Sequence, residues 1–534
     1  MGGYSYLSLS AFFYWKTVRE SALISQLFKI FTIFTKQIYQ PNQNPPPMKK
    51  IYLLPFLFLI AFSLSAQKKK TALPSLQEVD KQTIITNLDK RFDEYAKLSK
   101  QIWNFAELGY LEEKSSALLQ ETLKAEGFKV ESGVAGIPTA FLATFGEGSP
   151  ILGILAEYDA LPGLAQEVSP SQTPIPNQKG GHGCGHNLFG TASVAAAIQV
   201  KDWLKAGHKG TIKLYGCPAE EGGSAKVYMV REGLFNGVDV VLHWHPAASN
   251  GVDANGSLAN VNAKFRFKGV ASHASVAPEQ GRSALDGVEA MDNMVNMMRE
   301  HIPSDTRIHY VITKGGEAPN VVPANAEVYY YVRNRDRDIV KDVWSRIEKA
   351  AQGAAMGTGT TVTWEILGGV FNILPNITLS EMMENNLKMV GGVKYNEEEK
   401  AFAEKMLPTL TVKEAVESAA EIKDFRTISN SIMGAGSTDV GDVSWALPTV
   451  GMRSATWVPG VPAHSWQAVA CSGMSIGQKG MLVSAKTLAI SALDLYNNPA
   501  LIEKAKAEWL EKRGKDFKYE ALLGNRKPAL DYRK

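Results

Sequence analysis

Cysteine is scarce. Only Cys184, Cys217 and Cys471 occur in 534 residues, too few for a disulfide framework. An excess of one charge sign is lacking too, the formal net charge being +3. Residues 1–66 hold six Lys or Arg against one acidic residue, Glu20, which leaves 51 basic and 53 acidic residues in the rest. A body this close to neutral carries no electrostatic footprint for nucleic acid. Internal repeats are absent, and 45% hydrophobic with 21% charged residues excludes a disordered, collagenous or coiled-coil chain. The length exceeds what one core supports and implies two to four domains at roughly 150 residues each.

What is present begins with an address. Met48, Lys49 and Lys50 precede an apolar run from Ile51 to Phe62, and small residues follow up to Ala66. Charged start, short apolar stretch and small-residue cleavage site are the order of a secretory signal. The run has 12 residues, short of the ~20 a membrane-spanning helix needs. Residues 48–66 are therefore read as a signal peptide, and 1–47, ending in PNQNPPP, as an extension upstream of the true start. That reading places the mature chain in the periplasm or the medium, with no stable membrane insertion.

From residue 78 helical and strand patterns alternate. Residues 80–106 and 113–126 have helical periodicity, and FLATFG (141–146) and ILGILAEYDALPG (151–163) read as buried strands. A small-residue helix at 187–206 follows, then TIKLYGCPAEEGG (211–223) and VDVVLHWHP (238–246), strands that run into polar residues. This order predicts an α/β domain, its sheet covered on both faces and its chemistry at strand C-terminal ends. Residues 260–370 change character to a β-α-β-β-α-β order, a ferredoxin-like domain inserted into the first. The boundaries follow: 78–259 and 371–514 for the two parts of a catalytic domain, 260–370 for the insert, 515–534 for a tail. Residues 373–430 are polar and helix-prone and show no motif.

Few histidines occur, nine in all, and five fall in short motifs. GHGCGHN (181–187) places Cys184 and His186 two apart in a glycine-rich turn before a helix, and thiolate with imidazole suits zinc-like metals. PAEEGG (218–223) puts Glu220 and Glu221 at a strand end. Neighbours in an extended segment point opposite ways, so one carboxylate can hold a metal while the other faces water. VLHWHP offers His243 and His245 on one strand face, and VPAHSW offers His464 in a loop. Five ligand groups suit two metal ions that activate water and polarise a carbonyl, with a free glutamate as general base.

The motifs EYDALPG, GHGCGHN, PAEEGG, SHASVAPEQGRSALDGV and PNVVP, with the late His464, resemble those of the family 20 metallopeptidases of clan MH. That family includes aminoacylases, carboxypeptidase G and hippurate hydrolases. The resemblance runs in order over residues 80–500, and the Cys-Gly-His form is similar to the amidohydrolase subgroup. It implies a metal-dependent hydrolase cleaving the amide of an N-acyl or N-aroyl amino acid, with two divalent ions, Zn or Mn, per subunit. Cys184 would bridge the ions, and His186, Glu221, His464 and one of His243 and His245 would complete the shell. His245, directly before Pro246 and six residues after Asp239 as in related sequences, is preferred. Glu220 would be the general base. Glu157 departs from the wider family, where a metal-binding histidine stands two before the aspartate, and Asp159 would orient a ligand histidine. The insert would serve as lid and dimerisation domain, in a homodimer or in a heteromer with a related subunit. From it His273 would reach the neighbouring subunit's oxyanion, and Asn320 would bind substrate. A dipeptidase or carboxypeptidase on the same scaffold and a non-catalytic binding protein are the alternatives.

Overall fold

The computed structural model describes residues 75–425 and 436–534, except for the side chain of Asp253. The signal peptide 48–66 and the extension 1–47 lie outside the described residues. An eight-stranded sheet forms the frame. In spatial order its strands are Lys129–Ser132, Phe141–Glu147, Gly210–Gly216, Ile151–Ala156, Val240–Ala247, Thr449–Ala455, Asn250–Asp253 and Ile422–Lys423. The four central strands, Gly210–Gly216 to Thr449–Ala455, run parallel. Alternate residues enter different cores. Leu152, Ile154, Val240 and Leu242 pack on one face, and Leu155, Val241 and Tyr215 on the other. Burial on both faces explains why these strands read as continuous apolar runs. The helix His186–Lys205 lies against the first face, where Ala192, Ala195, Ala196 and Ala197 are all buried and permit close approach.

The insert has its own antiparallel sheet, ordered Arg307–Lys314, Asn325–Asn334, Ala259–Lys268, Thr361–Val370. With the helices Ala284–Met298 and Arg337–Thr358 it completes the β-α-β-β-α-β order. Val261, Ala263, Phe265 and Phe267 face the helices and form one core, while Arg266 between them is exposed. Together the described residues form an α/β catalytic domain carrying this insert, the lid.

One segment differs from its sequence pattern. Residues 80–106 form two helices, Leu76–Lys90 and Phe92–Phe105, broken at Arg91 with φ −101° and ψ 14°. The apolar spacing runs on through the break and gives no sign of it. The described part of the helix-prone stretch, 373–425, supplies the helices Ile377–Val390 and Glu397–Met406 and the sheet-edge pair Ile422–Lys423. Among the described residues no helix is long and apolar enough to cross a membrane.

Candidate metal centre

The parallel strands end at one place. Glu157 and Asp159 follow Ile151–Ala156, Glu220 and Glu221 follow Gly210–Gly216, His245 stands near the end of Val240–Ala247, and His464 lies in the loop after Thr449–Ala455. The helix His186–Lys205 begins against them and contributes His186, with Cys184 in the turn before it. Gly185 makes this approach possible. Its φ is +74°, and a Cβ there would lie 2.7 Å from Cβ of Pro246. The next residue back, His245, thereby brings Nε2 to 3.4 Å from Cys184 Sγ. His245 Nδ1 donates to the Pro246 carbonyl at 2.7 Å, which leaves the Nε2 lone pair free for a ligand bond. His243 goes elsewhere: it packs over Gly451 of the adjacent strand, where any Cβ would overlap its ring.

Three sets of donor atoms each gather within 4.8 Å: Cys184, His186 and His245; Cys184, Glu221 and His464; Glu157, His186 and Glu220. Asp159 Oδ1 lies 3.0 Å from His186 Nδ1, and its Oδ2 accepts from the Glu221 amide at 3.0 Å. His186 Nε2 stands 3.1 Å from Glu157 Oε2, and His464 Nε2 stands 3.1 Å from Glu221 Oε1. These last contacts are close but not aligned as hydrogen bonds, so His186 Nε2, Glu157 Oε2 and Glu221 Oε1 are buried polar atoms without a hydrogen-bond partner. Orphaned acceptors converging with a thiol and imidazoles fit a cation, and the mixed S, N and O donor set fits zinc-like ions.

Electrostatics agree. Burial, then the Glu221 carboxylate, pushes the Cys184 thiol well above its ordinary value. Burial and the carboxylates of Glu157, Glu221 and Asp439 push Glu220 up as well. Burial and His186 hold His245 well below its ordinary value, as the neutral imidazole a metal needs. The contact with Glu221 raises His464, against burial. The buried acidic groups thus hold one another protonated, a mutual repulsion that a bound cation would relieve.

Glu220 and Glu221 do not lie in an extended segment as the spacing implied. Ala219 is left-handed at φ +53°, and Gly223 N bonds to Ala219 O, so the pair sits in a tight turn. The turn still separates the two carboxylates, since Glu220 joins Glu157 and His186 while Glu221 joins Cys184 and His464. His464 is also left-handed, at φ +58°, and its amide donates to Gly183 O at 2.9 Å, which ties its loop to the cysteine turn. His273 and Asn320 are not gathered here. Both are exposed on adjoining segments of the lid, with Ala274 N donating to Asn320 O at 3.1 Å and Ser275 N to His273 Nδ1 at 3.3 Å.

Three features escaped the sequence reading. Lys226, fully buried, bridges Glu157 at 2.7 Å and Asp439 at 2.6 Å, so Glu157 is neutralised from behind while facing His186. Glu112, also buried, accepts from Ala219 N at 2.8 Å and from Thr139 Oγ1 at 3.1 Å. A G-x-S-x-G run, Gly473–Gly477, is present too, but Ser475 opens the helix Ser475–Asn497 and bonds Glu399, so it is no nucleophile elbow.

A thiol, imidazoles and carboxylates converging at the ends of parallel strands, beside an inserted lid, define a metal-dependent hydrolase of amide bonds. The chain belongs to peptidase family M20. The M20 peptidase dimerisation domain matches residues 255–357. One of the two subunits of the p-aminobenzoyl-glutamate hydrolase of Escherichia coli is 42% identical over 441 residues, 78% of this chain and 91% of that one. The Xaa-Arg dipeptidase of Mus musculus is 29% identical over 449 residues, 81% of this chain and 92% of that one. Among solved structures, a dinuclear metal-binding M20 peptidase of Bacillus subtilis matches with a TM-score of 0.54 at 16% identity, over 77% of this chain and 99% of that one.

Proposed function

We propose that the chain hydrolyses the amide of an N-acyl or N-aroyl amino acid of the p-aminobenzoyl-glutamate kind, using two zinc or manganese ions. The observation that carries this reading is the convergence of Cys184, His186, Glu221, His245 and His464, with Glu220 alongside. The relative named for p-aminobenzoyl-glutamate supports the substrate class. Bound ions would supply an acidified water and a polarised scissile carbonyl. Glu220 takes the proton from the attacking water and delivers it to the leaving nitrogen. Asp159, bonded to His186 Nδ1 and to the Glu221 amide, holds ligand and base-bearing turn in one register.

The lid's free edge supports a dimer. Among the described residues the edge strand Arg307–Lys314 pairs on one side only, Val311 on it is 55% exposed, and Met297 on the helix Ala284–Met298 is 71% exposed. An unpaired apolar edge takes a second strand readily. In such a dimer the partner's His273 donates to the developing oxyanion and the partner's Asn320 contacts substrate. A related chain is the other candidate companion, since the relatives include two different subunits of one Escherichia coli hydrolase. The signal-like run at 48–66 supports export of a chain that starts at Met48, and an exported mature chain beginning before Lys49 would contradict that start.

A second reading, a dipeptidase on the same scaffold, rests on the Xaa-Arg dipeptidase relatives. The deciding experiment uses purified chain, p-aminobenzoyl-glutamate, several N-acyl amino acids and a dipeptide panel. Chelator-sensitive release from the aroyl and acyl substrates is the expected result, and cleavage confined to dipeptides would favour the second reading.

A further inference from the structure

Residues 515–534 contain no helix or strand, yet they are fixed at intervals along their whole length. Tyr519 OH donates to the buried Asp442 at 2.7 Å. Leu523 is 3% exposed and shares a core with Tyr110, Ala219, Val227 and Val370. Arg526 donates to Leu367 O at 2.7 Å and to Glu365 at 3.1 Å, both on the lid strand Thr361–Val370. Arg231 donates back to Arg526 O at 2.8 Å. The segment therefore straps the lid's last strand to the catalytic domain before it reaches its end.

Its end lies on the Glu220–Gly223 turn. Arg533 Nη2 donates to Glu221 O at 2.8 Å, and Tyr532 OH approaches the same carbonyl at 3.5 Å. The Tyr532 ring stands edge-on to Tyr110, 5.6 Å between centroids, and Tyr110 OH donates to Gly223 O at 2.7 Å. Gly109 leaves the space, since a Cβ there would lie 2.2 Å from the place taken by Tyr532 OH. The turn's other polar groups are held from within the catalytic domain, Ala219 N by Glu112 and Glu221 N by Asp159. The Glu221 carbonyl is the one held by the strap.

We propose that Tyr532 and Arg533 are positioning residues for the Glu220–Glu221 pair. The peptide planes flanking Glu221 decide where both carboxylates point, and the strap fixes the outer one. A misplacement of about 1 Å can cost ~10²-fold in rate, so a bond that holds this peptide controls turnover without touching substrate. The proposal rests on Glu220 as base and Glu221 as ligand.

The test compares Arg533→Ala, Arg533→Lys and a chain ending at Pro528, which keeps the Leu523 and Arg526 anchors. Three quantities are read: kcat and KM on an amide substrate, melting temperature, and amide hydrogen exchange of residues 219–224 in metal-free protein. Arg533→Ala and the shortened chain should lose about 10- to 100-fold in kcat, with KM and melting temperature little changed and exchange in the turn accelerated. Arg533→Lys, which keeps a cationic donor, should recover most of both. An intact kcat in Arg533→Ala overturns the proposal. So does a lowered kcat with unchanged exchange in the turn, or a loss explained by a fallen melting temperature. Glu220→Gln in the same assay separates the premises: if it retains turnover, the assignment of the base fails, whatever Arg533 does.

Discussion

Glu112 is buried beneath the turn that carries Glu220, and that place alters its acidity. Burial, then the nearby Asp159, raises it from 4.5 to about 8. A carboxyl group raised on folding contributes stability that is full below its unfolded value and is lost as pH rises through the folded one. Stability of the native chain should therefore fall between about pH 4.5 and 8, relative to Glu112→Gln, which keeps an acceptor for Ala219 N and does not titrate. Denaturant unfolding at several pH values checks this, and parallel curves for the two proteins would refute it. No local pattern in YLEEKS marks Glu112, because its role comes from a residue 107 positions away. Cys184 and His186 are the opposite case: two residues apart in a glycine turn, they declare a shared target locally. Lys226 and Asp439 were illegible for the same reason as Glu112, since each takes its meaning from a partner distant in the chain.

Elements were read more surely than single residues, where burial leaves a period. The strand Ala259–Lys268 follows the period of a half-wet strand over its second half, where Phe265 and Phe267 are buried and Arg266 and Lys268 exposed. The break at Arg91 does not, because Ile84, Leu88, Tyr95, Leu98 and Ile102 continue one buried stripe across it. Arg91 binds Glu94 and Glu126 there, a side-chain matter that periodicity does not carry. Among the elements, the joint between the helix His186–Lys205 and the strand Val240–Ala247 governs the metal site. Gly185→Ala puts a side chain at φ +74° and into Pro246. The strained backbone and the overlap together should cost about 2–4 kcal/mol. The displaced His245 should weaken metal binding as well. Thermal unfolding and metal titration test both, and a variant with native metal affinity would show that Gly185 does not set the His245 position.

Among the described residues the α/β domain and its insert were legible, because the hydrophobic period changes at the insert. The strap was not, since DFKYEALLGNRKPALDYRK has no period and is ordered only by contacts with both domains. For assembly, Val311→Lys on the exposed lid edge should shift the chain to monomers in sedimentation, and loss of activity should accompany it if the partner's His273 completes each site. Mixing inactive His273→Ala with inactive Glu220→Ala should restore activity in the mixed dimer, and no recovery in mixed dimers shown to form would remove His273 from the partner's site. The catalytic reading stands on the division of labour between Glu220 and Glu221. Metal stoichiometry, measured together with single-turnover rate for Glu220→Gln and Glu221→Ala, decides it. Glu220→Gln should keep its metal and lose turnover by about 10²–10⁴-fold, while Glu221→Ala should lose metal. Near-normal turnover in Glu220→Gln, or metal lost from it and kept by Glu221→Ala, would overturn that division.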